Sequence, residues 1–112
     1  MKNVSGILAV IALAVLVALA PALWAAANAE AGKALYDKKC SSCHGKLGEG
    51  NPGIAKAMKV ELRHLGSKEV QAKSDADLKK DTVEGIGKMK GIKLTDAEAT
   101  DVIAYIRTLK QK

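Results

Sequence analysis

The sequence predicts a small all-α domain, and three observations carry that prediction. After residue 29, apolar residues recur mostly at spacings of three and four, the period of one helix face, and no convincing strand pattern is visible. Two stretches that look like helix starts, Ser74-Asp75-Ala76-Asp77 and Thr95-Asp96-Ala97-Glu98, each precede a helical segment. The third observation is the pentapeptide Cys40-Ser41-Ser42-Cys43-His44, which holds the only two cysteines of the chain. C-x-x-C-H is the attachment signature of c-type haem. The expected architecture is therefore three to four helices wrapped around one covalently attached haem.

The spacing of the pentapeptide follows from the chemistry. Two thiols three positions apart lie on the same side of one helical turn. From there Cys40 and Cys43 can add to the two vinyl groups on one edge of a porphyrin. His44 then supplies the proximal imidazole to the iron. Two other readings compete. A redox-active C-x-x-C needs a βαβ setting, which the sequence lacks. A zinc site needs four ligands, and beyond these three residues the chain offers only His64 as a further histidine.

The first 29 residues read as an export signal. Lys2 supplies a short positive start, residues 7–20 are an uncharged apolar run, Pro21 breaks it, and Ala27-Asn28-Ala29 is an A-x-A cleavage site. Cleavage after about Ala29 would release residues 30–112 into the periplasm as one domain. The alternative is an uncleaved membrane anchor facing the periplasm, because Val4 to Ala27 carries no charge and is long enough to span a bilayer. Export also fits the cysteines, which would end as thioethers rather than free thiols. Of the 18 Lys and Arg, only Lys2 lies in the leader, so 17 basic against 12 acidic residues leave the remainder at +5 before haem propionates are counted. That remainder has no Trp or Phe, since Trp24 lies in the leader, so its own core is thin. A buried porphyrin would supply the missing apolar volume, and the apo-protein is expected to be poorly packed.

Taken in order, the first helix is expected from about Glu30 to Cys43, with Gly32, Leu35, Tyr36, Cys40 and Cys43 as one stripe ending at the haem. Glu30 in its first turn and Lys38 and Lys39 near its end suit the helix dipole. Gly45 to Gly53 reads as turns, a tight wrap of backbone around a flat cofactor; no Walker pattern accompanies these glycines. A short helix over Ile54 to Val60 follows. The Ser74 signature, with Asp77 in place of Glu or Gln, opens a helix ending near Gly85. Gly85 to Leu94 is a loop with three glycines and Met89 in its middle. The full capping box at Thr95 opens the last helix, which runs to about Lys110. Ala99, Val102, Ile103, Ile106 and Leu109 form its buried face, and Tyr105 lies on the flank.

A haem iron with one histidine needs a second axial group or an open site. Met89, His64 and Met58 are the candidates. Met89 leads, because a core role is hard to justify in a glycine-flanked loop. Met58 sits in an expected helix, where methionine is commonly core filler. His64 reads equally as an ordinary surface or propionate-contacting histidine.

With these residues in place, the region from residue 30 to 112 resembles a class I cytochrome c of the small bacterial monohaem kind. Gly32, Tyr36 and Cys40 resemble the family's Gly-x-x-x-aromatic-x-x-x-Cys pattern, and Val102-Ile103-Ala104-Tyr105-Ile106 is similar to its terminal-helix stretch. The resemblance implies that the first and last helices cross at Gly32, with Tyr105 packed against them. It also implies His44 and Met89 as axial iron ligands, and Pro52 as the loop proline whose carbonyl orients the proximal imidazole. The chain departs from the family pattern at Lys90, where proline commonly follows the distal methionine. It also lacks the tryptophan that often meets a propionate, for which Arg63, His64 and Lys73 are candidate replacements.

The resemblance implies a soluble, monomeric electron carrier with one haem c, serving redox protein partners rather than nucleic acid, and not an enzyme. Lys38, Lys39, Lys46, Lys88, Lys90 and Lys93 flank the two haem-binding segments and would steer an acidic partner. Interspersed acids make a plainly solvated surface the competing reading. The alternative function is a haem enzyme or ligand sensor with an open sixth site, weakly peroxidase-like, in which Met89 does not bind.

Overall fold

The computed structural model describes residues 27–112, so residues 1–26 of the expected leader lie outside the described residues. The chain forms α1 (Ala29–Lys39), α2 (Ser41–His44), α3 (Pro52–Met58), α4 (Lys68–Gln71), α5 (Asp75–Glu84), a two-stranded hairpin β1 (Gly85–Ile86) and β2 (Met89–Lys90), and α6 (Asp96–Thr108). The all-α expectation holds: α2 and α4 are single turns, and the strands are two residues each.

The core is the crossing of α1 and α6. Gly32 and Tyr36 are the buried residues of α1; Ala99, Val102, Ile103, Tyr105 and Ile106 are those of α6. Gly32 is required because a Cβ there would collide with the Asp101 carbonyl. Tyr36 is fully buried, with its ring 5.1 Å from that of Tyr105 at a 59° tilt, and its hydroxyl donates to the Gly45 carbonyl at 2.6 Å. Such an aromatic pair adds roughly 0.5–1.5 kcal/mol beyond the area it buries. Burial pushes the Tyr36 phenol well above its ordinary value, so it stays a donor.

α1 starts one residue before the expected Glu30. Asn28 caps it by accepting from the Ala31 N–H at 3.0 Å, while its own N–H donates to the Asp101 carboxylate at 2.8 Å. The expected leader boundary therefore falls inside the first turn. The stretch expected as one helix to Cys43 is broken at Cys40, whose φ of −120° leaves the helical range. Beside the break, the Ser41 hydroxyl donates to the Asp37 carbonyl at 2.7 Å, the kind of side-chain bond that bends a helix.

At the other end, α6 opens with both halves of the capping box, Thr95 and Glu98. α5 opens at Ser74, which accepts from the Asp77 N–H at 3.1 Å, and ends at Gly85. Arg107 of α6 joins the α4–α5 junction by donating to the Asp75 carboxylate and to the carbonyls of Gln71 and Lys73. Gln71 in turn donates to the carbonyls of Leu65 and Ile106. These bonds fix the wall formed by α4 and α5 against the α1–α6 pair.

Candidate functional site

A cleft of about 780 Å³ opens between this helical wall, α3 and the hairpin. Its volume lies in the range of small-molecule sites, and such sites are mainly apolar with a few placed polar groups. Leu65, Val70, Leu78, Ile92, Val102 and Ile103 line it, and Cys40, Cys43, His44, Met58 and Met89 all reach it.

The pentapeptide is held from both sides. The Tyr36 carbonyl accepts from Cys40 N–H, and Cys40 in turn accepts from His44 N–H at 2.9 Å. Behind it, Gly50 N–H donates to the His44 carbonyl at 2.7 Å and Asn51 N–H to the Cys43 carbonyl at 2.9 Å. The 45–53 loop can fold back this sharply because Gly45, Gly48 and Gly50 all take positive φ. The loop thus closes on the end of α2, and its residues 45–53 do not line the cleft that would take the flat cofactor. The two cysteines are not joined to each other in a disulfide. Burial pushes the Cys40 thiol above its ordinary value despite Lys39, the reverse of what a reactive redox cysteine requires.

His44 Nδ1 is buried without a hydrogen-bond partner, the one such side-chain atom among the described residues. Burial holds the imidazole below its ordinary pKa, so it is neutral near pH 7 and a lone pair is free. A neutral, partly buried imidazole next to two unpaired thiols on an apolar cleft is the donor set that a covalently attached haem requires. The residues fit the group.

The other expected site residues are distributed as follows. Pro52 is the first residue of α3, makes no bond to His44 Nδ1 and does not line the cleft. His64 also lies off the cleft, and its Nδ1 accepts from Gly66 N–H at 2.9 Å. Met58 and Met89 both line the cleft, but Met58 is exposed at the end of α3 while Met89 is half-buried in β2. Arg63 and Lys73 line the cleft, unlike His64. Each is paired, Arg63 with Glu69 at 2.7 Å and Lys73 with Asp81. Of the six flanking lysines, Lys39, Lys88 and Lys90 line the cleft, whereas Lys46 borders a separate hollow with Lys33 and Tyr105. The sequence reading missed Asp81, a half-exposed acid on the cleft wall; its only sequence signal was its place one turn before Gly85.

Two helices crossing at a glycine, over an apolar cleft that carries a C-x-x-C-H turn, define a covalent haem protein of the c type. The Cytochrome c family model matches residues 29–110, and the chain belongs to that family, with one covalently attached haem c and its iron. Cytochrome c-554(547) of Halothiobacillus neapolitanus is 34% identical over 91 residues, covering 76% of this chain and 100% of the relative. The protein is a haem-based electron-transfer protein.

Proposed function

We propose that the protein carries one electron at a time between periplasmic or membrane redox partners, with His44 and Met89 as axial ligands and Cys40 and Cys43 as thioether tethers. The supporting observation is the convergence of these four side chains on one apolar cleft. Bound haem c supplies one-electron cycling of its iron between the ferric and ferrous states. The chain's own part is to keep that site dry and fixed. Leu78, Val102 and Ile103 are buried against the cleft and exclude water. The Gly50 and Asn51 N–H groups hold the backbone of α2, and with it the point from which the His44 side chain departs. Were His44 and Met89 both to hold the iron, they would leave no place on it for a substrate, which is why no enzymatic activity is proposed.

The proposed route is export behind residues 1–29, with cleavage after Ala29; among the described residues no helix is long and apolar enough to cross a membrane. A redox partner with an acidic face is proposed from Lys39, Lys88 and Lys90 around the cleft mouth. Nothing favours the open-site reading. His64, its candidate acid–base residue, lies off the cleft with Nδ1 already bonded. Carbon monoxide separates the two: the reduced holoprotein should show no Soret shift under saturating carbon monoxide. A rapid, stoichiometric shift would establish an open sixth site and overturn the carrier reading.

A further inference from the structure

The segment between α5 and α6 is built as a frame, not a loop. β1 and β2 pair antiparallel, with Ile86 opposite Met89 and Gly85 opposite Lys90. Gly85 and Gly87 take φ of +88° and +57°, backbone that side-chain-bearing residues rarely adopt. A Cβ on Gly85 would lie 2.6 Å from the Met89 carbonyl oxygen and 2.8 Å from Gly91 N. A Cβ on Gly91 would collide with the Val83 carbonyl of α5. The backbone from the Met89 carbonyl to Gly91 therefore lies directly against the end of α5. Ile92 N–H then donates to the carbonyl of buried Thr82 at 2.8 Å.

The tip of the hairpin is tied separately. Lys88 Nζ donates to the Met58 carbonyl at 2.8 Å, across the cleft mouth and 30 residues away. Met58 is the last residue of α3, where carbonyls lack helical partners and carry the negative end of the helix dipole. The ammonium meets both needs. Strands of two residues are far too short to persist unsupported, so these ties decide whether the hairpin keeps one shape.

We propose that Lys88, with Gly85 and Gly91, is a positioning residue for Met89. The hairpin, strapped to α3 at its tip and pressed on α5 at its base, holds the methionine in the cleft in advance of ligation. A ligand on a loose segment must lose conformational freedom each time it binds, whereas a framed one has already lost it. The strap thus protects the sixth position against small competing ligands. This rests on Met89 as the axial ligand.

The test is titration of the oxidised holoprotein with imidazole, comparing wild type with Lys88→Ala, Lys88→Arg and Gly91→Ala. Removing the donor in Lys88→Ala should tighten imidazole binding about fivefold, the worth of one hydrogen bond. Lys88→Arg should restore wild-type affinity, since arginine can reach the same carbonyl. Gly91→Ala should tighten binding tenfold or more; should it fail to fold, the two exposed Lys88 variants carry the test alone. A lowered melting temperature in Lys88→Ala with imidazole affinity within twofold of wild type would mean a purely structural tie and overturn the proposal. Absence of a sulfur-to-iron charge-transfer band in the wild type would instead sink the Met89 reading itself.

Discussion

Replacing Gly32 by alanine sets two calculable effects against each other. In an isolated helix the change stabilises by about 1 kcal/mol, because alanine has the higher helix propensity. At the α1–α6 crossing, the added methyl would overlap the Asp101 carbonyl and lie 3.0 Å from Val102 N. These are backbone atoms, so no rotamer change relieves the contact and the helices themselves must part. Parting them loosens the packing of Tyr36 on Val102 and Tyr105, the centre of the core. Overpacking costs typically about 1–3 kcal/mol, and a rigid backbone obstacle places this site at the upper end. The packing loss wins by about 2 kcal/mol. For a domain of this size that lowers the melting temperature by roughly 8–16 °C. Thermal unfolding of the holoprotein, followed by far-ultraviolet circular dichroism, reads the shift. A variant as stable as wild type, or more so, would show that propensity alone governs the site and that the two helices do not meet there.

The remaining predictions concern two carboxylates, one helix cap and the leader. Glu98 and Glu49 are both held below their ordinary value of 4.5 by backbone N–H donors, Thr95 for the first and the Glu49 and Leu47 amides for the second. Their contribution is fully present above that value and is lost as pH falls through the lower folded values; a Glu49→Gln/Glu98→Gln double variant should therefore lose less stability than wild type over that acid range, and identical acid profiles would contradict this. Asn28 contributes a helix cap worth about 1 kcal/mol, so a protein beginning at Glu30 should melt roughly 4–8 °C below one beginning at Asn28. Intact mass of the exported protein should place its first residue at Glu30, and a retained Met1 would establish an anchor.

Features with a strong local cause were legible in the sequence. The capping box at Thr95 placed α6 because two reciprocal bonds depend on residues three apart. The stripe through Gly32 and Tyr36 placed α1 because its period repeats over three turns. The hairpin was not legible, since two-residue strands are too short for any alternation; only Gly85 and Gly87 hinted at the turn. α4 escaped for the same reason, a single turn whose one signal is Ser67, accepting from Val70 N–H. The break at Cys40 had no pattern of its own, because Ser41 reads equally well inside a helix. In the site, the pentapeptide carried the expectation of a tethered haem, and its Cys40, Cys43 and His44 all reach the cleft. Pro52 came by resemblance alone, and the structure does not join its carbonyl to His44. Where the family pattern commonly has a proline after the methionine, Lys90 pairs with Gly85 across the hairpin.

In the proposed holoprotein His44 and Met89 together close both faces of the iron. The oxidised visible spectra of wild type, Met89→Ala and Met58→Ala test it most directly. A sulfur-to-iron charge-transfer band present in wild type and in Met58→Ala, and lost in Met89→Ala, is the predicted result. A band that survives in Met89→Ala, or vanishes in Met58→Ala instead, would contradict it.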